Sequence, residues 1–273
     1  MPREASAHGR RNGNGSGFGL LLWIVAAILS ILLTVAWFLP ASWLAFLVEQ
    51  QTTGRLTLGD AQGSFWNGSA FLGGASAGTA PVTPLFEGRF AWRISPAVLW
   101  GRLNATLTNS AALSQPVKLQ GSWTDWQLSE ASLLLPPERL QGLGAPLNTI
   151  GLSGQLSLSW NTLEFVRHEG RLDVLGAMQL RMQDMASRLS PVNPLGSYQL
   201  AFDWRGQAAD IALTTVKGPM LLSGRGQLSA GHFQFSGKAE AEAGQEDKLA
   251  NLLNLLGQHR RDGDKDVIAL EFK

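Results

Sequence analysis

Residues 12–48 contain no charged side chain, and within them 18–39 is an almost unbroken apolar run. A helix of that length reaches about 33 Å at about 1.5 Å per residue, enough to cross a hydrocarbon core of roughly 30 Å. No later segment compares with it. The sequence therefore predicts a disordered Gly/Asn-rich tail at 1–17, a transmembrane helix at 18–39 that continues to about 49, and a water-facing body at 50–273. A cleaved signal peptide is the rival reading, but its apolar core would span only about 7–15 residues. Trp37 and Trp43 also stand where an interfacial aromatic belt belongs. Arg3, Arg10 and Arg11 outweigh Glu4 before the run, so the positive-inside rule predicts a cytoplasmic N-terminus and a body on the far side of a single-pass span.

Composition narrows the body. Formal net charge is +1 and the tail contributes three Arg against one Glu, so the rest is close to −1. That balance, with no basic stripe, argues against nucleic acid. The absence of cysteine excludes disulfides and thiolate metal sites. Charged residues make up only 16%, and ten Trp accompany a single Tyr, which suits strands and tight turns better than charged surface helices.

From about Gly54 the apolar period becomes two. Leu156, Leu158 and Trp160 alternate with polar residues, as do Leu200, Phe202 and Trp204, then Ile211 and Leu213, Phe233 and Phe235, and Ile268, Leu270 and Phe272. This pattern predicts strands with one wet face, which antiparallel sheets tolerate. The fold expected is mainly β: a large, twisted or curved antiparallel sheet with a few short helices. Turns are expected at Asn67-Gly68, Gly73-Gly74, Gly170, Ser229-Ala230-Gly231 and Asp262-Gly263-Asp264. Short helices are expected after Ser95-Pro96, at Pro136-Pro137, and where Leu249, Leu252, Leu253 and Leu256 form a stripe ended by Gly257. Pro40 either kinks the first helix or starts a new turn through 42–48. The Pro/Gly-rich stretch 135–146 divides the body into sub-regions 50–135 and 150–273, across which the sheet could still be continuous.

Catalytic chemistry is sparse. His8, His168, His232 and His259 are isolated from other ligand types, so no metal or cofactor is predicted. Gly74-Ala75-Ser76-Ala77-Gly78 matches the nucleophile-elbow pattern, but Thr79-Ala80-Pro81 cannot promptly start the helix that lifts such a serine into a site. Gly224-Arg225-Gly226-Gln227-Leu228-Ser229 lacks the third glycine and following helix of a dinucleotide fingerprint. The reading is of a protein that is not an enzyme.

Gly63-Ser64-Phe65-Trp66-Asn67-Gly68-Ser69-Ala70 follows a G-[ST]-aromatic-W-x-G-x-A pattern. It is joined by Leu39-Pro40-Ala41-Ser42-Trp43, by Phe90-Ala91-Trp92-Arg93-Ile94-Ser95-Pro96 with Leu99-Trp100-Gly101-Arg102-Leu103, and by Pro219 to Gly226 and Leu252 to Gly257 near the end. In order and spacing these resemble the type II secretion system protein N family (general secretory pathway protein N), from about residue 20 onward. The resemblance implies an inner-membrane protein with a periplasmic β-rich body. It also implies an accessory role in moving folded proteins from the periplasm across the outer membrane, with other inner-membrane and periplasmic components of that system as partners. It transfers no catalytic residue. The candidate interaction or structural residues are Gly63, Phe65, Trp66, Gly68, Trp92, Arg93 and Trp100. Read from the residues, Trp66 packs over a tight turn at Asn67-Gly68, or serves as a partner-binding anchor, and Trp92 and Trp100 either join the core or dock a partner. A lipid-handling protein, with an apolar groove on a curved sheet in contact with lipid, is the alternative function.

Overall fold

The computed structural model describes residues 16–54, 56–74, 83–140, 151–229, 232–256, 258–262 and 265–272. The tail to residue 15, His8, Ser76 and Gly257 lie outside them, as do the centres of two expected turns (230–231 and 263–264) and the 141–146 part of the Pro/Gly divider. The chain forms two compact units, Met1–Leu39 and Pro40–Lys273.

In the first unit, helix α1 covers Ser16–Trp37. Its side chains are described without a break over 21–31, and all of these are exposed. Among the described residues no helix is long and apolar enough to cross a membrane, so the structure does not establish the span expected at 18–39.

The second unit is mainly β. Helix α2 (Ser42–Gln51) leads into β1 (Leu56–Gly63), β2 (Asn67–Gly74), β3 (Thr83–Pro84) and β4 (Phe90–Ile94). A 3-10 helix, Pro96–Trp100, precedes β5 (Arg102–Thr108), β6 (Val117–Ser122), β7 (Asp125–Leu128), β8 (Ala131–Leu135) and α3 (Pro137–Leu140). Then come β9 (Leu152–Trp160), β10 (Leu163–His168), β11 (Arg171–Ser187), β12 (Gly196–Gly206), β13 (Ala208–Lys217), β14 (Met220–Ser229) and β15 (His232–Ala241). Helix α4 (Glu246–Leu256) and the hairpin β16 (Gln258–Asp262) and β17 (Lys265–Phe272) end the chain.

The pairings among the described residues are antiparallel, and twelve of the sixteen join strands that are neighbours in sequence. Three pairs of strands are collinear. β3 and β4 share the same edge of β2. β7 and β8 run along β10 and β9 respectively, and β10 and β9 lie end to end on one edge of β11. At about 3.3 Å per residue the 17-residue β11 extends about 56 Å, long enough to hold both of them while β12 takes its other edge. The sheet is thus continuous from β1 to the last hairpin, where β17 pairs with both β15 and β16.

Register keeps most of the apolar set on one face. Leu72 meets Leu58, Trp92 meets Leu107, Leu119 meets Leu128, and Trp126 meets Phe165. Leu158 meets Leu133 and Leu180, Leu200 meets Leu180 and Leu213, and Ile268 meets Ala239. A one-residue slip at any ladder would turn a whole strand's apolar set to water, so burial itself pins the register. Helix α4 packs on this face: Leu249, Leu252 and Leu253 are buried with Ile211, Phe235, Ile268 and Leu270. These three leucines of the expected stripe face the sheet; the Leu256 side chain lies outside the described residues.

Two expected turns are strand instead. Gly73 and Gly74 end β2 with both edges paired, to β1 and to β3, and a ladder closed on two sides overrides the turn preference of glycine. Asn67 and Gly68 begin β2, paired with Arg93 and Trp92. Pro40 neither kinks α1 nor starts α2. It forms an extended bridge with Ser64, and α2 begins at Ser42.

The bridge places Pro40 at the β1–β2 hairpin tip, 64–67. Antiparallel succession brings the tips 95–101 (β4 to β5) and 122–125 (β6 to β7) to the same end of the sheet. This is the Pro40 end of the sheet.

Candidate interaction site

The expected site residues converge on the β1–β2 tip, though not around Trp66. Gly63 ends β1 with φ +86°, and a Cβ there would lie 2.5 Å from the Asn67 carbonyl oxygen. The tip is closed by Ser64, whose N–H donates to the Asn67 carbonyl (2.9 Å) while its Oγ accepts from the Asn67 N–H (3.1 Å). Serine here mimics a backbone turn partner, the behaviour expected of a short hydroxyl at a tight turn.

Trp92, from the middle of β4, reaches over this tip. Its ring covers Gly68, where a Cβ would meet the ring at 2.7 Å, and its indole N–H donates to the Phe65 carbonyl at 3.0 Å. Trp92 is buried with Ala41 and Ala70, and Leu44, Leu58, Ile94 and Leu107 pack around them. The start of α2 joins the same cluster, because the Ala41 N–H donates to the Gly63 carbonyl (3.2 Å). Trp92 is therefore the pin that holds the turn, the sheet and the entry of α2 together. Trp66 is half-buried and packs edge-to-face on Phe65 (5.2 Å), and its carbonyl accepts from the Ile94 N–H (2.7 Å). The aromatic packed over the turn is Trp92, because the turn lies two residues earlier than Asn67-Gly68, at Phe65-Trp66.

Arg93 and Trp100 point elsewhere. Arg93 is exposed beside Asn67. Trp100 is 75% exposed at the end of the 3-10 helix, which Ser95 caps through its Oγ (3.3 Å from the Ala97 N) and Gly101 ends in the left-handed region. Neither joins the Trp92 cluster.

Sequence reading missed a second cluster 29 residues apart in the chain. Arg89 donates to the Asp60 carboxylate and carbonyl and to Ser69 Oγ, and its guanidinium stacks 4.7 Å above the Phe71 ring. Asp60 sits in a bulge of β1 at φ +49°, and its hydrogen bond from Arg89, helped by one from Gln62, holds its carboxyl below the usual value of 3.8. Bulging and the cover of α2 leave β1 unsuited to accept another strand. No local signal marks it: Glu87 stands two residues before Arg89 and Arg93 four after, and register alone brings Asp60 to Arg89.

The rejected dinucleotide pattern has a packing role. Gly224, Gly226 and Gly237 surround Phe235, and a Cβ at any of them would meet its ring within 2.9 Å. The glycines are a seat for a ring. On the polar face, a groove of about 790 Å³ lies over Ala177, Ala201 and Ala212, with Arg181, Asp203, Asp210 and Arg225 around it. Its two carboxylates are paired from beside it, where Arg205 bridges Asp203 and Asp210. Burial pushes the Tyr198 hydroxyl well above its ordinary pKa, and it donates to the Met220 carbonyl (3.0 Å). Among the described residues no group of three His, Cys, Asp or Glu could hold a metal. The arrangement is one of packing and contact.

No curated protein matches the chain, and no solved structure matches it. One family model does: type II secretion system, protein N, over residues 54–267. The match runs from the residues before β1 into β17 and includes the Trp92 tip and the ring seat of Phe235. The chain belongs to the type II secretion system protein N family.

Proposed function

We propose that this chain is a non-catalytic, membrane-anchored accessory component of the type II secretion system, supporting export of folded proteins across the outer membrane. The family match over residues 54–267 carries this reading, because it covers almost the whole sheet. In this reading α1 is the inner-membrane anchor, the tail is cytoplasmic and the body periplasmic. The charge-free run 12–48 and the three tail arginines support that placement. So does the exposure of Leu21, Leu22, Trp23, Ile24, Ile28 and Ile31, which water would penalise and lipid would not.

The partners are other inner-membrane and periplasmic components of the system. The means of contact is strand addition. Of the two sheet edges, β1 is bulged and covered, while β16 pairs among the described residues only with β17, leaving its outer backbone edge for an incoming strand. The lipid-groove alternative is less favoured. Over β13 to β17 the apolar face it would leave open is covered by Leu249, Leu252 and Leu253 of α4, and the 790 Å³ groove lies over polar-face residues.

Deletion of the gene tests this. The expected outcome is that folded secretion substrates accumulate in the periplasm and that the full chain restores their release. Unchanged secretion in the deletion strain would sink the proposal.

A further inference from the structure

The Pro40 end of the sheet carries a second aromatic feature that the Trp92 cluster does not absorb. Leu99 and Trp100, in the 3-10 helix, are 53% and 75% exposed, and Trp123, at the β6–β7 tip, is 56% exposed. They form one built patch. The Trp123 indole N–H donates to the Val98 carbonyl (2.8 Å), and its ring lies 3.9 Å from where a Cβ of Gly101 would stand. Trp43, at the start of α2 and hydrogen-bonded through its N–H to the Pro40 carbonyl, is also exposed.

Three observations say what covers this patch. First, its position: Pro40, the residue that follows the first unit directly, bridges to Ser64 at this end of the sheet. Second, its charge: exposed Arg93 and Arg102 stand at this end, paired with Asn67 and Ser122, and Asp125 is the one acidic residue between Phe90 and Glu130. Third, its contrast with the opposite end, where the connections 109–116, 136–151, 188–195 and 218–219 contain no aromatic residue. Exposed tryptophan beside arginine is the composition of a surface that meets phospholipid headgroups. The amphipathic indole prefers that layer, and cations are drawn to anionic lipid.

We propose that the Pro40 end of the body is a lipid-contact surface. Trp43, Leu99, Trp100 and Trp123 enter the headgroup layer of the bilayer that holds α1, and Arg93 and Arg102 face its anionic phosphates. The body is then seated on the membrane in a fixed orientation. This rests on the anchored reading of α1, and the test separates the two.

The chain has no cysteine, so single nitroxide labels can be placed in the full-length protein. The protein is reconstituted in phosphatidylcholine vesicles containing a minority of phosphatidylglycerol. Leu99→Cys reports on the patch, Ile28→Cys on the anchor, and Gln115→Cys, at an opposite tip, serves as the aqueous reference. The ratio of collisions with oxygen to collisions with a water-soluble nickel chelate is read at each site. The expected result is a ratio several-fold above that of Gln115→Cys at both Leu99 and Ile28, with the Leu99 value falling toward the reference in Arg93→Gln/Arg102→Gln protein. A lipid-like ratio at Ile28 with a water-like one at Leu99 overturns the seat and leaves the anchor standing. A water-like ratio at Ile28 overturns the anchor whatever Leu99 reads. Shielding of Leu99 from both reagents means protein covers the patch, and also overturns the lipid seat.

Discussion

Two tryptophans allow the same chemical change to be made with opposite expected results. Trp92 is buried and its indole N–H is bonded to the Phe65 carbonyl at 3.0 Å. The indole nitrogen of Trp204 is also buried but has no hydrogen-bond partner among the described residues. Replacing either with Phe removes part of an indole; Trp92 is buried and Trp204 half-buried, so that loss is at least as large at Trp92. At Trp92 the change also strands a part-buried carbonyl, at a cost of about 1–3 kcal/mol. At Trp204 it removes an unpaired donor, which is neutral or favourable. Trp92→Phe should therefore be the less stable variant by at least about 1 kcal/mol. For a unit of this size that is a melting-temperature gap of about 2–4 °C per kcal/mol. The assay is loss of far-UV strand signal on heating the full chain in detergent, at one fixed scan rate for both variants. Equal melting temperatures would refute the claim that the Trp92–Phe65 bond pins the tip. Trp92→Ala, which also empties the pocket shared with Ala41 and Ala70, should cost about 3–5 kcal/mol.

Other expectations follow from neighbouring features. Gly68→Ala places a Cβ 2.7 Å from both the Ser64 carbonyl and the Trp92 ring, so it should destabilise by about 1–3 kcal/mol, visible in the same melts. Leu249→Ala, in the fully buried stripe of α4, should cost about 2–5 kcal/mol, whereas the same change at the exposed Leu99 should leave the melt unmoved. The Asp60 carboxyl is held below 3.8 by Arg89, so its contribution is complete above that value and is lost as pH falls through the lower folded value. Arg89→Met should therefore flatten the stability–pH curve below about pH 4 relative to the unmodified chain; a curve of unchanged slope would remove Asp60 from the account.

Strands were legible in the sequence because each has one wet face, and alternation records that directly. Leu156, Leu158 and Trp160 can be assigned to one face without knowing what they meet. The short elements were legible where capping residues announce them, as at Ser95 and Gly101. Reading failed where geometry comes from partners distant in the chain. Asn67-Gly68 reads as a turn on propensity, but the tip is set two residues earlier by Ser64 and by Trp92, 24 residues on or more. The collinear strands β7/β8 and β9/β10 were hidden because the breaks at 129–130 and 161–162 shift the period at the point where the line continues. The glycines around Phe235 look like a phosphate loop to a pattern search, and their purpose shows only when β14, β15 and the ring are placed together. Of the candidate residues, Gly63, Phe65, Trp66, Gly68 and Trp92 gather at one joint. Arg93 and Trp100 do not belong to it, and no local signal separates the two sets.

The account rests on contact through the β16 edge. A photo-crosslinking residue placed in turn at Gln258, Arg260 and Asp262 of the full chain, in cells that are secreting, tests it most directly. The prediction is a covalent adduct with another component of the type II secretion system from at least one of these positions, lost when that component is deleted. Adducts with lipid alone, or with no secretion component from any position along β16, would contradict it.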